Sequence, residues 1–213
     1  MAHFFAHLKL VCRHRHHVIV NGAKCGIFWH CLKHDLSKFS HLEFSRSRKH
    51  YNGHHSPVFE ERLENGYFSY ICQHHTHRNP HHWEYWVDFF QGCLVVMTMP
   101  WVYATEYVCD MLSASYCYNP KEFTPGGTLD YFVHRKDHYY LSSASKEYIE
   151  WCLTRFRDLG FKGLKKKDTK AKYAEICAKY PKTEVIYELH PKGELPSDPK
   201  MVIMQPLHSK EEI

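Results

Sequence analysis

The chain has 213 residues, of which 44% are hydrophobic and 15% aromatic, and its 28 Lys and Arg against 23 Asp and Glu give a net charge of +5. That apolar content excludes a disordered chain, the length suffices to bury a sizeable core, and so small a charge does not argue for nucleic acid as a partner. Twenty histidines are the compositional anomaly.

The opening Met1-Ala2-His3-Phe4-Phe5 lacks the basic start, apolar stretch and small-residue cleavage site of a secretory signal, so the expected compartment is the cytoplasm. Phe4, Leu8, Leu10 and Val11 fall on helical spacing and predict a first helix over about residues 4–24, closed by Gly26, with His14 and His17 one turn apart on one side. A short second helix from Ile27 turns Phe28, Cys31 and Leu32 inward and delivers His34 and Asp35 near its last turn. Ser37 or Ser40 caps the next helix, and Glu43, three after Ser40, suits a capping box. Turn formers at 51–57 precede a helix that begins at Pro57 and runs to about His75. Asn79-Pro80 repeats that start signal and predicts another helix with His81 and His82 in its opening turn.

The uncharged stretch 89–105 is shorter than the roughly 20 residues of a bilayer span and is interrupted by Gly92 and Pro100, so no membrane segment is expected. A helix starting at Pro100 carries Tyr103, Tyr107, Met111 and Leu112, with Asp110 among them; an acid in that setting needs a partner. Pro120, Pro125, Gly126 and Gly127 mark a loop, after which periodicity resumes near Ser143 and runs through Tyr148, Cys152, Phe156 and Leu159 to a stop at Gly160. Beyond the basic run 162–172, which reads as a solvated face, a final helix covers about residues 171–180. Residues 183–189 read as one strand with no evident partner, able to pair across a homodimer or lie on the surface, and the tail after Pro191 is expected to be mobile. The nine cysteines, odd in number and without a CxxC pair, read as reduced core residues, Cys31 and Cys109 included.

Borderline divalent metals favour imidazole nitrogen and carboxylate oxygen. The chain supplies both in order: His14 or His17, then His34-Asp35, the pairs His74-His75 and His81-His82, then Asp110. One histidine of each pair is expected to ligate, and Asp35 could bridge two ions with its two oxygens. Histidines at the start of a helix face the positive end of its dipole, which favours the neutral, metal-binding form. Lys38 and Arg78 are candidates for contacting phosphate. The remaining histidines, among them His3, His7, His41, His50, His134, His138, His190 and His208, read as surface or satisfied core residues, and Trp83, Tyr85 and Trp86 as packing residues.

The run His34-Asp35-Leu36-Ser37-Lys38-Phe39, with a histidine upstream and an aspartate far downstream, resembles the HD-domain metal-dependent phosphohydrolase superfamily. More closely, HDLSKFSHLEF (34–44), HHTHRNPHHWEYW (74–86) and Met99-Pro100 with Asp110 resemble a family of uncharacterised bacterial and phage proteins described as a domain of unknown function, over roughly residues 12–178. His54, His55 and His77 are extra to that pattern, and residues 93–98 are more apolar than it suggests. The resemblance implies an all-α, HD-domain-like helical bundle: a metal-binding core over 1–118, helices at 119–180 completing the domain, and a tail over 181–213 holding the possible strand. It also implies that His14 fills the first histidine position, and that one or two divalent ions (Mn, Co, Zn, Mg or Fe) are bound. In that scheme His14, His34, Asp35 and Asp110 hold one ion, while His74 or His75 and His81 or His82 hold the second. The expected activity is hydrolysis of a nucleotide or other small phosphate ester by a metal-activated water, with Asp35, Lys38 and Arg78 at the reacting phosphate. Two alternatives keep the same ligands: a di-iron oxygenase, and a non-enzymatic metal-stabilised interaction protein such as a phage factor for a host component.

Overall fold

A computed structural model describes residues 2–53, 56–90, 92–118 and 120–188. His54, His55 and the tail beyond Glu188 lie outside the described residues. The protein is mostly helical, with a small sheet on the helical body. Its helices are α1 (Ala2–Lys24), α2 (Phe28–Cys31), α3 (His41–His50), α4 (Pro57–Glu64), α5 (Tyr70–Thr76), α6 (Trp101–Tyr118), α7 (Gly127–Arg135), α8 (Ser143–Leu159) and α9 (Lys166–Cys177). The strands are β1 (Val87–Phe90), β2 (Cys93–Met97) and β3 (Thr183–Glu188).

Helix starts follow the sequence closely. The hydroxyls of Ser40, Ser56, Ser69 and Ser142 each accept the N–H three residues on, satisfying a donor that the first turn leaves free. Pro57 occupies the first turn of α4. Gly26 at φ +76° ends the first helical unit, and Gly160 at φ +59° ends α8, both in a region where a side chain is costly. The core forms where α1, α6, α7 and α8 meet, around Val18, Met99, Val108, Phe132, Tyr148, Ile149 and Leu153. Each such buried side chain contributes about 1.5–3 kcal/mol relative to exposure. Phe28, expected inward, is exposed, while Cys31 on the same short helix is fully buried. No helix among the described residues is long and apolar enough to cross a membrane.

Five expectations need correction. The helix expected from Pro57 to His75 is two helices, because Gly66 (φ +62°) and Tyr67 (φ +72°) adopt consecutive left-handed conformations that no α-helix tolerates. No α-helix follows Pro80: a short 3-10 turn at Trp83–Trp86 leads into an antiparallel hairpin, β1 against β2, whose β-branched and aromatic residues flank Gly92 at φ +80°. Strand propensity there outweighed the Asn-Pro start signal. The strand near the C-terminus has its partner within the chain, since β3 pairs antiparallel with β2, Thr183 opposite Met97 and Glu184 opposite Val96. Between Pro125 and Ser143, where no periodicity was read, α7 buries Thr128, Leu129 and Phe132; in addition, α9 starts at Lys166 rather than near residue 171.

Candidate metal centre

The centre is built on the turn between α2 and α3. Asp35 precedes a 3-10 turn (Leu36–Phe39) with φ +55°, a left-handed conformation that Asp tolerates better than most residues. Arg15 of α1 holds this segment in place: its Nε–H donates to the His34 carbonyl at 3.0 Å, and a second guanidinium N–H donates to the Leu32 carbonyl. The turn thereby seals Asp35 to 1% exposure and His34 to 2%.

Around Asp35 the helices bring five imidazoles and a second carboxylate. Oδ2 lies 3.2 Å from Nε2 of His34 and 3.9 Å from Nε2 of His14, and Lys38 Nζ approaches the same oxygen at 2.5 Å. Oδ1 faces the other way, 3.2 Å from Nε2 of His75 on α5 and 3.4 Å from Nε2 of His81. Asp110 on α6 closes the group: Oδ1 is 2.8 Å from His14 Nε2 and Oδ2 is 3.9 Å from His81 Nε2. Two ligand sets result, His14/His34/Asp110 and Asp35/His75/His81/His82, with the donor atoms of each set within 4.8 Å of one another. His34, His81 and Glu106 form a third such grouping.

Three of the imidazoles are held from behind by carboxylates. His34 Nδ1 lies 2.9 Å from Glu106 Oε1, His81 Nδ1 lies 3.5 Å from the same oxygen, and His75 Nδ1 lies 2.9 Å from Glu43 Oε2. Each glutamate holds a further histidine on its other oxygen, His30 at 2.7 Å for Glu106 and His74 at 2.5 Å for Glu43. A carboxylate behind an imidazole fixes its tautomer and turns its Nε2 toward the cluster, as in histidines that ligate metals.

The polar accounting within this centre does not close. Asp35 Oδ1, His81 Nε2 and His82 Nε2 are buried without a hydrogen-bond partner among the described residues, although all three belong to one ligand set. Such groups cost about 1–3 kcal/mol each when left unpaired. Burial opposes ionisation of Asp35, yet the surrounding His34, Lys38 and His75 hold its carboxyl well below the usual range. Burial likewise opposes charge on His34, but the Asp35 carboxylate, with the hydrogen bonds that the ring donates to Asp35 and Glu106, pushes its imidazole up to about 10. His82 goes the opposite way, pushed down to about 3 by burial and then by His75; His81 falls well below the usual value by burial and then by His82. The neutral state expected of His81 and His82 thus arises from burial and neighbouring imidazoles, since no α-helix stands behind them to supply a dipole.

Of the residues singled out in the sequence, His14, His34, Asp35, His75, His81, His82 and Asp110 converge, with Lys38 against Asp35. His17 turns to the ring of Tyr116. His74 lies behind the ligand groups, on Glu43, and the exposed Arg78 reaches back to the His74 carbonyl at 3.5 Å; neither belongs to the cluster. Sequence reasoning misses Glu106 and the part Glu43 plays behind the histidines. Glu43 had been read only as a capping residue, and its side chain serves histidines instead. Glu106 stands four residues before Asp110 on α6, a spacing that puts the two on one helix face and could have revealed it.

Fold and site together define a mostly helical protein with a buried histidine and carboxylate cluster able to hold metal ions. Residues 3–155 match the Family of unknown function (DUF5662), and the chain belongs to that family. No curated protein and no solved structure matches it.

Proposed function

We propose that this protein is a metal-dependent phosphohydrolase that binds two divalent ions across Asp35 and cleaves a small phosphate ester. The observation that carries the reading is the division of one buried carboxylate between two imidazole sets, Oδ2 toward His34 and His14 and Oδ1 toward His75 and His81. A polar core evolved only for packing would pair these atoms with one another. Here Asp35 Oδ1, His81 Nε2 and His82 Nε2 have no hydrogen-bond partner among the described residues, and a divalent cation among them would accept a lone pair from each. The donor chemistry, imidazole with carboxylate, suits zinc, manganese, cobalt or iron better than calcium. The resemblance of His34-Asp35 with Lys38 to the HD-domain superfamily supports the same reading.

Divalent ions in these two sets would supply Lewis acidity to a phosphate oxygen and to an attacking water. The chain's own residues do the remaining work. Glu43 and Glu106 keep the imidazoles oriented. Lys38, whose side chain is about one-third exposed, lies between Asp35 and solvent and offers a cation to an incoming phosphate. Held charged by the Asp35 carboxylate despite burial of its stem, it remains a cation at any physiological pH.

The test is elemental analysis of protein purified without a histidine tag, paired with phosphate release from a generic phosphodiester and a panel of phosphomonoesters including nucleotides. One to two equivalents of bound metal with phosphate release is the expected result. Iron without hydrolysis would replace the reading by an oxygen-dependent oxidation at the same ligands, and absence of any metal would remove its basis.

A further inference from the structure

Helix α1 presents two adjoining faces to two cavities. His7, Leu10, Val11 and His14 line the first, about 240 Å³, which reaches the metal centre at His14, His75, His82 and Asp110. Ala6, Lys9, Leu10 and Arg13 line the second, also about 240 Å³, with Tyr51 and Gly53 just beyond α3 and Cys117 and Tyr118 at the end of α6. Leu10 and Tyr118 belong to both, so the cavities lie side by side with these two side chains as their partition. Tyr118 is 51% exposed, which leaves the partition open to solvent.

Charge distinguishes the two cavities. The first sets Lys38 beside the carboxylates of Glu43 and Asp110. Around the second the charged residues are Lys9 and Arg13, and no carboxylate lines it among the described residues. The two cations stand one turn apart on α1, about 6 Å along the axis. Arg13 donates to the Cys117 carbonyl, and neither cation pairs with an acidic side chain among the described residues. Like charges one turn apart weaken a helix, and an anion between them removes that cost.

We propose that the substrate is a phosphate ester carrying a second phosphoryl group, held between Lys9 and Arg13 in the cavity beside the metal centre. This rests on the phosphohydrolase reading, which puts the scissile phosphate at the ions. Two cations without a carboxylate match the charge of about −2 that a phosphoryl group carries near neutrality, and the planar guanidinium fork fits its oxygens. Both cations are exposed, so their attraction is screened by salt. Lys9 and Arg13 are binding residues in this scheme and take no part in the bond-breaking step.

The test is calorimetric titration of the metal-loaded full-length protein with non-hydrolysable ligands: the α,ω-bisphosphonates from ethylene to hexylene, the alkylphosphonates of matching length, and inorganic phosphate. Elemental analysis after each titration verifies that the metal stays on the protein. The bisphosphonate long enough to cross the partition is expected to bind about tenfold tighter than its alkyl counterpart, the yield of charge-assisted hydrogen bonds to one further group, and added salt should shrink that gain. Lys9→Gln and Arg13→Gln should each reduce the gain and together erase it, while the alkylphosphonates bind at the metals as before. Lys167→Gln, an exposed site on α9 that changes the net charge equally, should leave the gain intact. No gain at any length, a gain that survives the double variant, or an equal loss in Lys167→Gln overturns the inference with the phosphohydrolase reading intact. Failure of both the phosphonates and inorganic phosphate to bind the metal-loaded protein overturns that reading itself.

Discussion

Glu61 on α4 and Asp35 before the Leu36–Phe39 turn are both sealed from solvent, at 0% and 1% exposure, and their surroundings treat them in opposite ways. Glu61 is fully paired. Ser69 Oγ and the Ile71 N–H donate to Oε2 at 2.6 and 2.9 Å, and Arg46 donates to Oε1 at 3.1 Å. It thereby ties α3, α4 and the start of α5 into one unit. Asp35 has four imidazole nitrogens within 3.9 Å, more cationic capacity than Glu61, and still leaves Oδ1 without a hydrogen bond. Glu61 is answered by donors at both oxygens, whereas Asp35 has Lys38 on Oδ2 and, around both oxygens, imidazoles that could share a metal ion with it.

The largest effect that sharpens the contrast is Asp35→Ala. Because one carboxylate faces both ligand sets, the variant should lose both ions at once rather than one of them, and elemental analysis should read near zero equivalents while circular dichroism stays helical. Retention of both ions by this variant would mean that Asp35 is not the carboxylate they share, and the division of one carboxylate between two sets would fall.

Next comes the converse. Glu61→Ala strands the Ser69 hydroxyl and the Ile71 N–H in a buried site, each at about 1–3 kcal/mol, and should lower the denaturation midpoint without altering metal stoichiometry. Parallel loss of metal would show that the two carboxylates belong to one cooperative unit, and the comparison would fail.

Glu106→Gln and Glu43→Gln test the carboxylates behind the imidazoles. An amide keeps the shape but loses the charge that orients and polarises the ring, so metal affinity should fall about 10- to 100-fold in each. Competition with a chromophoric chelator measures it. A variant that binds metal as tightly as the parent would reduce these glutamates to space fillers.

How far the sequence speaks for itself depends on the length scale of the signal. The Ser40 cap, Pro57 and Gly160 are legible because a few adjacent residues decide a helix end. Most of the cluster is legible because His34-Asp35 and the histidine pairs are local, and Asp110 stands out as an acid in an apolar helix. What stayed hidden is non-local. The pairing of β3 with β2 joins residues about ninety positions apart, and no pattern within 183–188 names that partner. Glu43 satisfied a local rule so well that its second task, holding His75, went unseen. His7 is one histidine among twenty until the fold buries it between Phe44 and Tyr51.

The smallest effect concerns acid. Burial opposes ionisation of Glu61, but the hydrogen bonds from Ser69, Ile71 and Arg46 outweigh it and hold the folded-state pKa below the unfolded value of about 4.3. A depressed carboxyl contributes stability that is fully present above the unfolded value and is lost as pH falls through the folded one, because only the unfolded chain gains by protonating first. Glu61→Gln has no such proton to bind. All other titrating groups are common to the parent and the variant, so their contributions cancel in the difference between the two urea midpoints. That difference should be constant from neutrality to about pH 5 and narrow progressively below about pH 4, the parent losing its advantage while the variant does not. A gap that stays flat through this window would mean that the network values the shape of the side chain and not its charge, and Glu61 would then be a weaker foil for Asp35 than the geometry suggests.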